Sequence, residues 1–334
     1  MASTGERAFA WAKACGIIGK SFLGKNIQRL YPITRLSELD RALFPTNPLD
    51  LPERELSVAL ERRIAERASA HVLSIMDAFT KPSAALTTLV RSWENADLKT
   101  CLAAISAGQK SRPPITGIGQ YRTIDFEAFP DIAGMTAGTA YAWLAGAHGQ
   151  KSLVDLETEL DLRYYQTLWS ELARLPKSDR QGFQALIIEE ITLKNIVWAF
   201  RLRSYYKLDA LELDSRLVDL ESKGISLAKA ARDTNGFAMD KREDWKGWKY
   251  SYLLNPEKSG EYWRLDPRYA QNSAARRLYH HAKSIFRRNP FSSDTIACFI
   301  KLMQFEEDIL TSVAEGLALG IPARDALASI EVFS

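Results

Sequence analysis

The chain has 334 residues and a mass of 37.6 kDa, with 46% hydrophobic and 25% charged residues. This is the composition of a chain able to bury a large core, and it excludes collagen, a disordered tail and a disulfide-stapled miniprotein. A net charge of +3 and a pI near 8.6 are too modest for a surface built throughout to coat nucleic acid.

Met1 to Gly5 carries neither a basic leader region nor a long apolar stretch. Glu6 to Ala14 (ERAFAWAKA) reads as an Ala-rich helix. The next string, Ala14-Cys15-Gly16-Ile17-Ile18-Gly19-Lys20-Ser21, nearly matches the phosphate-binding loop G-x-x-x-x-G-K-[ST]. Ala14 replaces its first glycine, and a helix rather than a buried strand precedes it. The plainer reading is a helix that ends at Gly16 in a glycine turn.

Leu56, Leu60, Ile64, Ala68, Val72 and Met76 recur at every fourth position and predict a long amphipathic helix. Trp93 to Lys99 (WENADLK) opens another helical stretch. Gly108 to Gly119 (GQKSRPPITGIG) is a loop by its Gly and Pro content. The longest apolar run, Ala140 to Ala145, has six residues against the ~20 that a bilayer span needs, which predicts a soluble chain.

Leu153, Leu156, Leu160, Tyr164, Leu168, Leu172 and Leu175 form a second stripe, which Pro176 should stop. Leu186 to Glu190 (LIIEE) could imitate the acidic strand end of a phosphate-loop site, but it lies in a long helical segment. The string Ile191 to Val197 carries Lys194 and Asn195, with Arg201 and Arg203 following. The polar residues here are expected to cap, to hydrogen-bond between helices or to form salt bridges with these arginines. Asp233 to Gly236 (DTNG) is a second turn cluster.

Lys241 to Pro290 holds twelve Lys/Arg against five Asp/Glu, a net of +7 that leaves −4 for the rest of the chain. Trp245, Trp248, Tyr250, Tyr252, Tyr262, Trp263 and Tyr269 are interleaved with these charges. Aromatics beside basic residues also bind single-stranded nucleic acid, but no RNP, KH or zinc-finger pattern accompanies them. Trp248, Tyr250, Tyr252 and Leu254 alternate as in a short strand. Arg276/Arg277 and Arg287/Arg288, eleven residues apart, share one face if their helix is continuous, as suits an acidic protein partner. His280 and His281 point ~100° apart on a helix and cannot easily share a metal. Ile296, Ile300, Met303, Leu310, Val313 and Leu317 form the third stripe, ending near Gly320 and Pro322. Its carboxylates Glu306, Glu307 and Asp308 have no nearby His, Gly-rich loop or metal ligand that would make them acid–base catalysts.

The expected fold class is therefore all-α. Cys15, Cys101 and Cys298 are distant and odd in number, so neither a disulfide framework nor a zinc ribbon is expected. With only four histidines, no catalytic, cofactor or metal site is assigned. Length alone suggests about two domains, but a faint repeat divides the chain otherwise. Asp97, Asn195 and Asp308 each precede Leu or Ile inside an otherwise apolar helix, at intervals of 98 and 113 residues. Stacked repeats bury one another's faces. Three bundles, 1–115, 116–232 and 233–334, are expected to form one cooperative body.

Several strings together resemble the C subunit, called d in eukaryotes, of V-type and A-type rotary ATPases. Glu189 to Arg203 (EEITLKNIVWAFRLR) resembles that family's E-x-D-x-x-N-[IL] helix with paired Arg, Thr192 standing where Asp is common. Glu94 to Leu102 (ENADLKTCL) resembles its D-[IL]-x-N-[IL]-K helix, with Asp97 in place of Asn. Gln304 to Ile321 (QFEEDILTSVAEGLALGI) resembles its C-terminal Q-x-E-x-x-I helix, which includes Glu306. Phe9 to Lys13 (FAWAK) is similar to the opening Y-x-x-A-R. Trp245 to Trp248, Leu253 to Pro256 and Trp263 look like the bacterial branch.

The resemblance implies three similar helical bundles around a pseudo-threefold axis, forming a funnel. It implies a non-catalytic adapter with no cofactor. The funnel would receive the central-stalk subunits of the soluble, ATP-hydrolysing head and sit on the cytoplasmic face of the proteolipid rotor ring. It would couple the two during proton or sodium transport, peripheral on the inner face of the cell membrane, with no nucleic acid and no bilayer span of its own. On that reading Arg276, Arg277, Arg287, Arg288, Arg201 and Arg203 are the candidate partner contacts. Asp97, Asn195, Asp308 and Glu306 are the structural polar residues of the repeat.

Overall fold

A computed structural model describes residues 3–257 and 259–330. Met1, Ala2, Lys258 of the basic block and residues 331–334 lie outside the described residues. The fold is all-α. The first four helices are α1 (Thr4–Lys20), α2 (Leu36–Leu43), α3 (Glu53–Met76) and α4 (Ala84–Val90). They are followed by α5 (Ser92–Ser106) and two short helices, α6 (Ile132–Thr136) and α7 (Leu144–Ala147). Next come the long α8 (Leu153–Ala173) and α9 (Lys177–Arg201), then the short α10 (Ala210–Asp214). A two-residue hairpin, β1 (Glu221–Ser222) with β2 (Ile225–Ser226), precedes α11 (Lys229–Asp233). The chain closes with α12 (Pro267–Arg288), α13 (Ser293–Ala318) and α14 (Ala323–Ile330).

The three apolar stripes become the buried faces of α3, α8 and α13. Side-chain caps fix several starts: Ser3 accepts from Glu6 N, Ser152 from Asp155 N and Ser292 from Thr295 N. Pro176 separates α8 from α9, as a residue without an N–H should.

Two expectations are corrected. The Ala14–Ser21 string does not form a phosphate loop, nor does its helix end at Gly16. Helix α1 runs unbroken through Gly16 and Gly19 to Lys20. Its amide N–H groups bond carbonyls one turn back, so they cannot wrap a phosphate. Leu186 to Glu190, which might have completed such a site, lies inside α9. The alternation from Trp248 to Leu254 is also not a strand. Trp248 and Leu254 are buried, and a 3₁₀ turn, Ser251–Leu253, intervenes. Here the tryptophans pack into a core from irregular backbone, which mimics period two.

Among the described residues, buried apolar side chains fall into three clusters. The largest gathers α1 to α4, the middle and end of α8, the first half of α9, and α12 to α14. A second surrounds the end of α9, with Trp245, Trp248, Trp263 and the start of α12. A third joins α5 beyond Leu98 to Ile124, Phe126, Leu144 and the start of α8. Leu60, Leu168 and Ile300 all lie in the largest, so the segments 1–115, 116–232 and 233–334 do not each close a core of their own. The helices cross between cores instead. Along α8, Leu156 and Leu160 serve the third core, while Leu168 and Leu172 serve the largest. Along α9, Phe183 and Ile191 serve the largest, and Ile196 and Phe200 the second.

Candidate functional site

Polar side chains concentrate where these helices pass from one core to another. On α8, Asp161 receives Lys99 of α5 at 2.6 Å and Lys194 of α9 at 2.8 Å. Asn95 Nδ2 adds a bond to the same carboxylate at 3.3 Å. Burial works against the Asp161 charge, but the two lysines outweigh it and hold its pKa below the ordinary carboxylate value. Burial lowers the Lys99 pKa, despite Asp161 beside it. One turn before Lys194, Glu190 accepts from Tyr165 Oη at 2.9 Å and from Lys301 Nζ of α13 at 2.7 Å. Glu189 is met by Arg277 Nε at 2.6 Å and by His281, both from α12. Trp93 Nε1 donates to Glu307 at 2.9 Å. A belt of charges thus ties α5, α8, α9, α12 and α13 together.

Three of the four polar residues singled out from the repeat stitch backbone to a long helix. Asp97 accepts from Thr116 N at 2.9 Å and Thr116 Oγ1 at 3.2 Å. Asn195 donates to Val218 O at 2.9 Å and accepts from Val218 N at 2.9 Å, holding the segment after α9. Glu306, only 1% exposed, accepts from Phe22 N at 2.7 Å and faces Arg67 at 3.3 Å. Asp308 is placed differently. It is exposed on α13. Sequence reading missed Glu94, which accepts from Thr123 N and from Ile124 N at 2.8 Å. Its signal was its place three residues before Asp97, on the same face of the helix.

The six arginines separate into three groups. Arg287 and Arg288 are exposed at the end of α12. Arg276 and Arg277 stand on the same unbroken helix, Arg277 paired with Glu189. Arg201 donates to Gln271 at 2.6 Å, and Arg203 donates to the carbonyls of Thr234 and Phe237, so both hold the fold internally. Of the aromatic block, the tryptophans are likewise absorbed, while Tyr252 and Tyr262 stay exposed. Trp245 is 1% exposed, and Trp248 and Trp263 are 9% exposed, so these three rings are members of the second core rather than free-standing stacking platforms.

Among the described residues, no group of three or more His, Cys, Asp or Glu is placed to hold a metal, and no helix is long and apolar enough to cross a membrane. Burial pushes the Cys101 thiol up to about 11 and the Cys298 thiol higher still, far from the thiolate that nucleophilic chemistry uses. What this belt does chemically is hold helix to helix.

A model of the ATP synthase (C/AC39) subunit family matches residues 48–327. An uncharacterized protein of Treponema pallidum (strain Nichols) is 26% identical over 325 residues, covering 93% of this chain and 92% of that protein.

Proposed function

The chain belongs to the ATP synthase (C/AC39) subunit family, and from that premise we propose that it is the non-catalytic adapter between the membrane rotor ring and the central stalk of a V/A-type rotary ATPase. In this reading the segments 1–115, 116–232 and 233–334 are the three units of a funnel, joined through the shared largest core. The stalk foot seats in its wide side, and the proteolipid ring lies beneath. The complex moves protons or sodium ions, and the chain is peripheral to the membrane.

The observation that best supports the mechanical role is the charge belt at the crossings between cores. An adapter that turns with a rotor must not let its parts swivel. Close packing supplies stiffness. Ion pairs with fixed partners on different helices supply register, because electrostatic complementarity fixes orientation more than it adds affinity. Lys99, Asp161 and Lys194 join three helices in this way.

The test is recovery of partners by the tagged full chain from detergent-solubilised membranes of its own source. Co-purification of a proteolipid ring together with head and stalk subunits is expected; recovery of neither overturns the proposal. The exposed Arg287→Glu/Arg288→Glu pair is expected to reduce recovery of ring or stalk about tenfold, with helicity unchanged. Unaltered recovery of both removes these two arginines from the contact.

A further inference from the structure

Beside Ile188 and Thr192 of α9 lies an open groove of about 880 Å³. Its floor is apolar, formed by Ile188, Leu227, Ala230, Phe237 and Trp248. Four lysines also line it, from two separate stretches of chain: Lys223 and Lys229 on the hairpin and α11, and Lys246 and Lys249 beside Trp248. Lys229 is tied to Asp233 and Lys246 to Glu243. Lys223 and Lys249 are exposed and make no ion pair among the described residues. Asp233 is the one carboxylate in the lining, and it is already paired.

The hairpin gives this groove a lip. Lys223 and Gly224 adopt φ of +52° and +76°, as a tight two-residue turn requires. Asn or Gly usually fills the first of these positions, yet here it presents a lysine. Next to the turn, Ile225 is 60% exposed and lines the groove. A large aliphatic side chain on a lip, an aromatic floor and two lysines without an ion-pair partner, Lys249 lying over the Tyr250 ring, form a surface left open among the described residues.

We propose that this groove receives an acidic amphipathic segment of another protein, its apolar side chains on the Trp248 floor and its carboxylates against Lys223 and Lys249. Charge complementarity selects this occupant. The lysines come from two stretches of chain, so they match carboxylates spread along a peptide better than the charge at one end of a lipid. A second copy of the chain would have to bring an acidic apolar segment of its own. The assignment does not depend on which protein supplies the segment, and so not on the coupling role above.

The experiment places a photo-crosslinking amino acid at position 225 of the full chain in its native membranes and sequences the captured peptide. The expected product is one protein segment with Asp or Glu flanking apolar residues at helical spacing. Its yield should fall at least tenfold in a Lys223→Glu/Lys249→Glu background. Both lysines are exposed, so that variant is expected to keep its helicity and thermal midpoint; a second background, Lys249→Gln alone, should lose part of the yield. Crosslinks to lipid, to a second copy of the chain or to a segment without carboxylates overturn the proposal. So does a yield indifferent to the lysines, or no crosslink at all. Failure to recover a ring and stalk would overturn the coupling role and leave this result standing, since the crosslink reports whatever protein occupies the groove.

Discussion

The clearest residue-scale consequence concerns protons. Desolvation pushes the Glu307 carboxyl up to about 8, with Trp93 opposing and Asp308 and Asp97 reinforcing. Desolvation likewise lifts Asp97 to about 7 against the Thr116 bonds. A carboxyl whose folded pKa lies above its unfolded value favours the fold while protonated. That stability is complete below about 4.5 and is lost as pH rises through the folded pKa. Glu307→Gln keeps an oxygen for Trp93 Nε1 and removes the titration. Relative to the natural chain, the variant should therefore gain thermal stability from pH 5 to about pH 8 and level off above it. Melting both proteins at pH 5, 7 and 9 tests this, and an equal gap at all three would refute it. None of it was legible in the sequence, where Glu306, Glu307 and Asp308 are three similar acids. Only the packing makes one a buried clasp, one a desolvated acceptor for Trp93 and one an exposed carboxyl.

At the scale of elements, the long helices were legible because their apolar residues repeat with the helical period over many turns. The Leu56–Met76 stripe is α3 almost to the residue. Local motifs misled where they matched a pattern without its context. The Gly16–Ser21 string had the glycines and lysine of a phosphate loop, but an Ala-rich helix propagates through two exposed glycines at only about 1 kcal/mol each. The hairpin at Glu221–Ser226 was missed because two paired residues per strand give no alternation to read. The contact of α9 with α13 shows how little room the packing leaves. A Cβ added at Gly182 would lie 2.5 Å from Asp294 Oδ2 and 2.9 Å from Ile285 Cγ2. Asp294 is fully buried and held by Gly182 N and Phe183 N, so it cannot withdraw. Helix propensity alone would make Gly182→Ala stabilising by about 1 kcal/mol. The clash should win, with a net loss of about 1–3 kcal/mol in urea unfolding; any stabilisation would contradict this reading.

For the whole molecule, the charge belt matters more than any one of its pairs. Asp161 is 17% exposed, between Lys99 at 22% and Lys194 at 40%. Asp161→Asn would leave two cations facing across α8. Because the cluster is neither sealed nor fully open to water, the expected loss is about 1–2 kcal/mol, between the values for surface and buried pairs. Adding Lys99→Met should recover part of it in a double-mutant cycle, whereas strict additivity would mean that the two residues act independently. The belt was not read from sequence, since the repeat positions Asp97 and Asn195 bond backbone instead, and the division into cores did not follow either, because helices shared between cores leave no break in composition. The largest core also unites the two ends of the chain. Helix α3 packs on α13, and Ala323 N bonds Ile33 O. During synthesis, then, the apolar face of α3 leaves the ribosome long before its partner exists. Some 217 residues separate Met76 from Ser293, and at ~5–20 residues per second they take roughly 10–40 s to make. For that interval only α1 and α2 are present to cover α3, the side that α13 will take stays open, and a chaperone that shields such faces would favour the folded form.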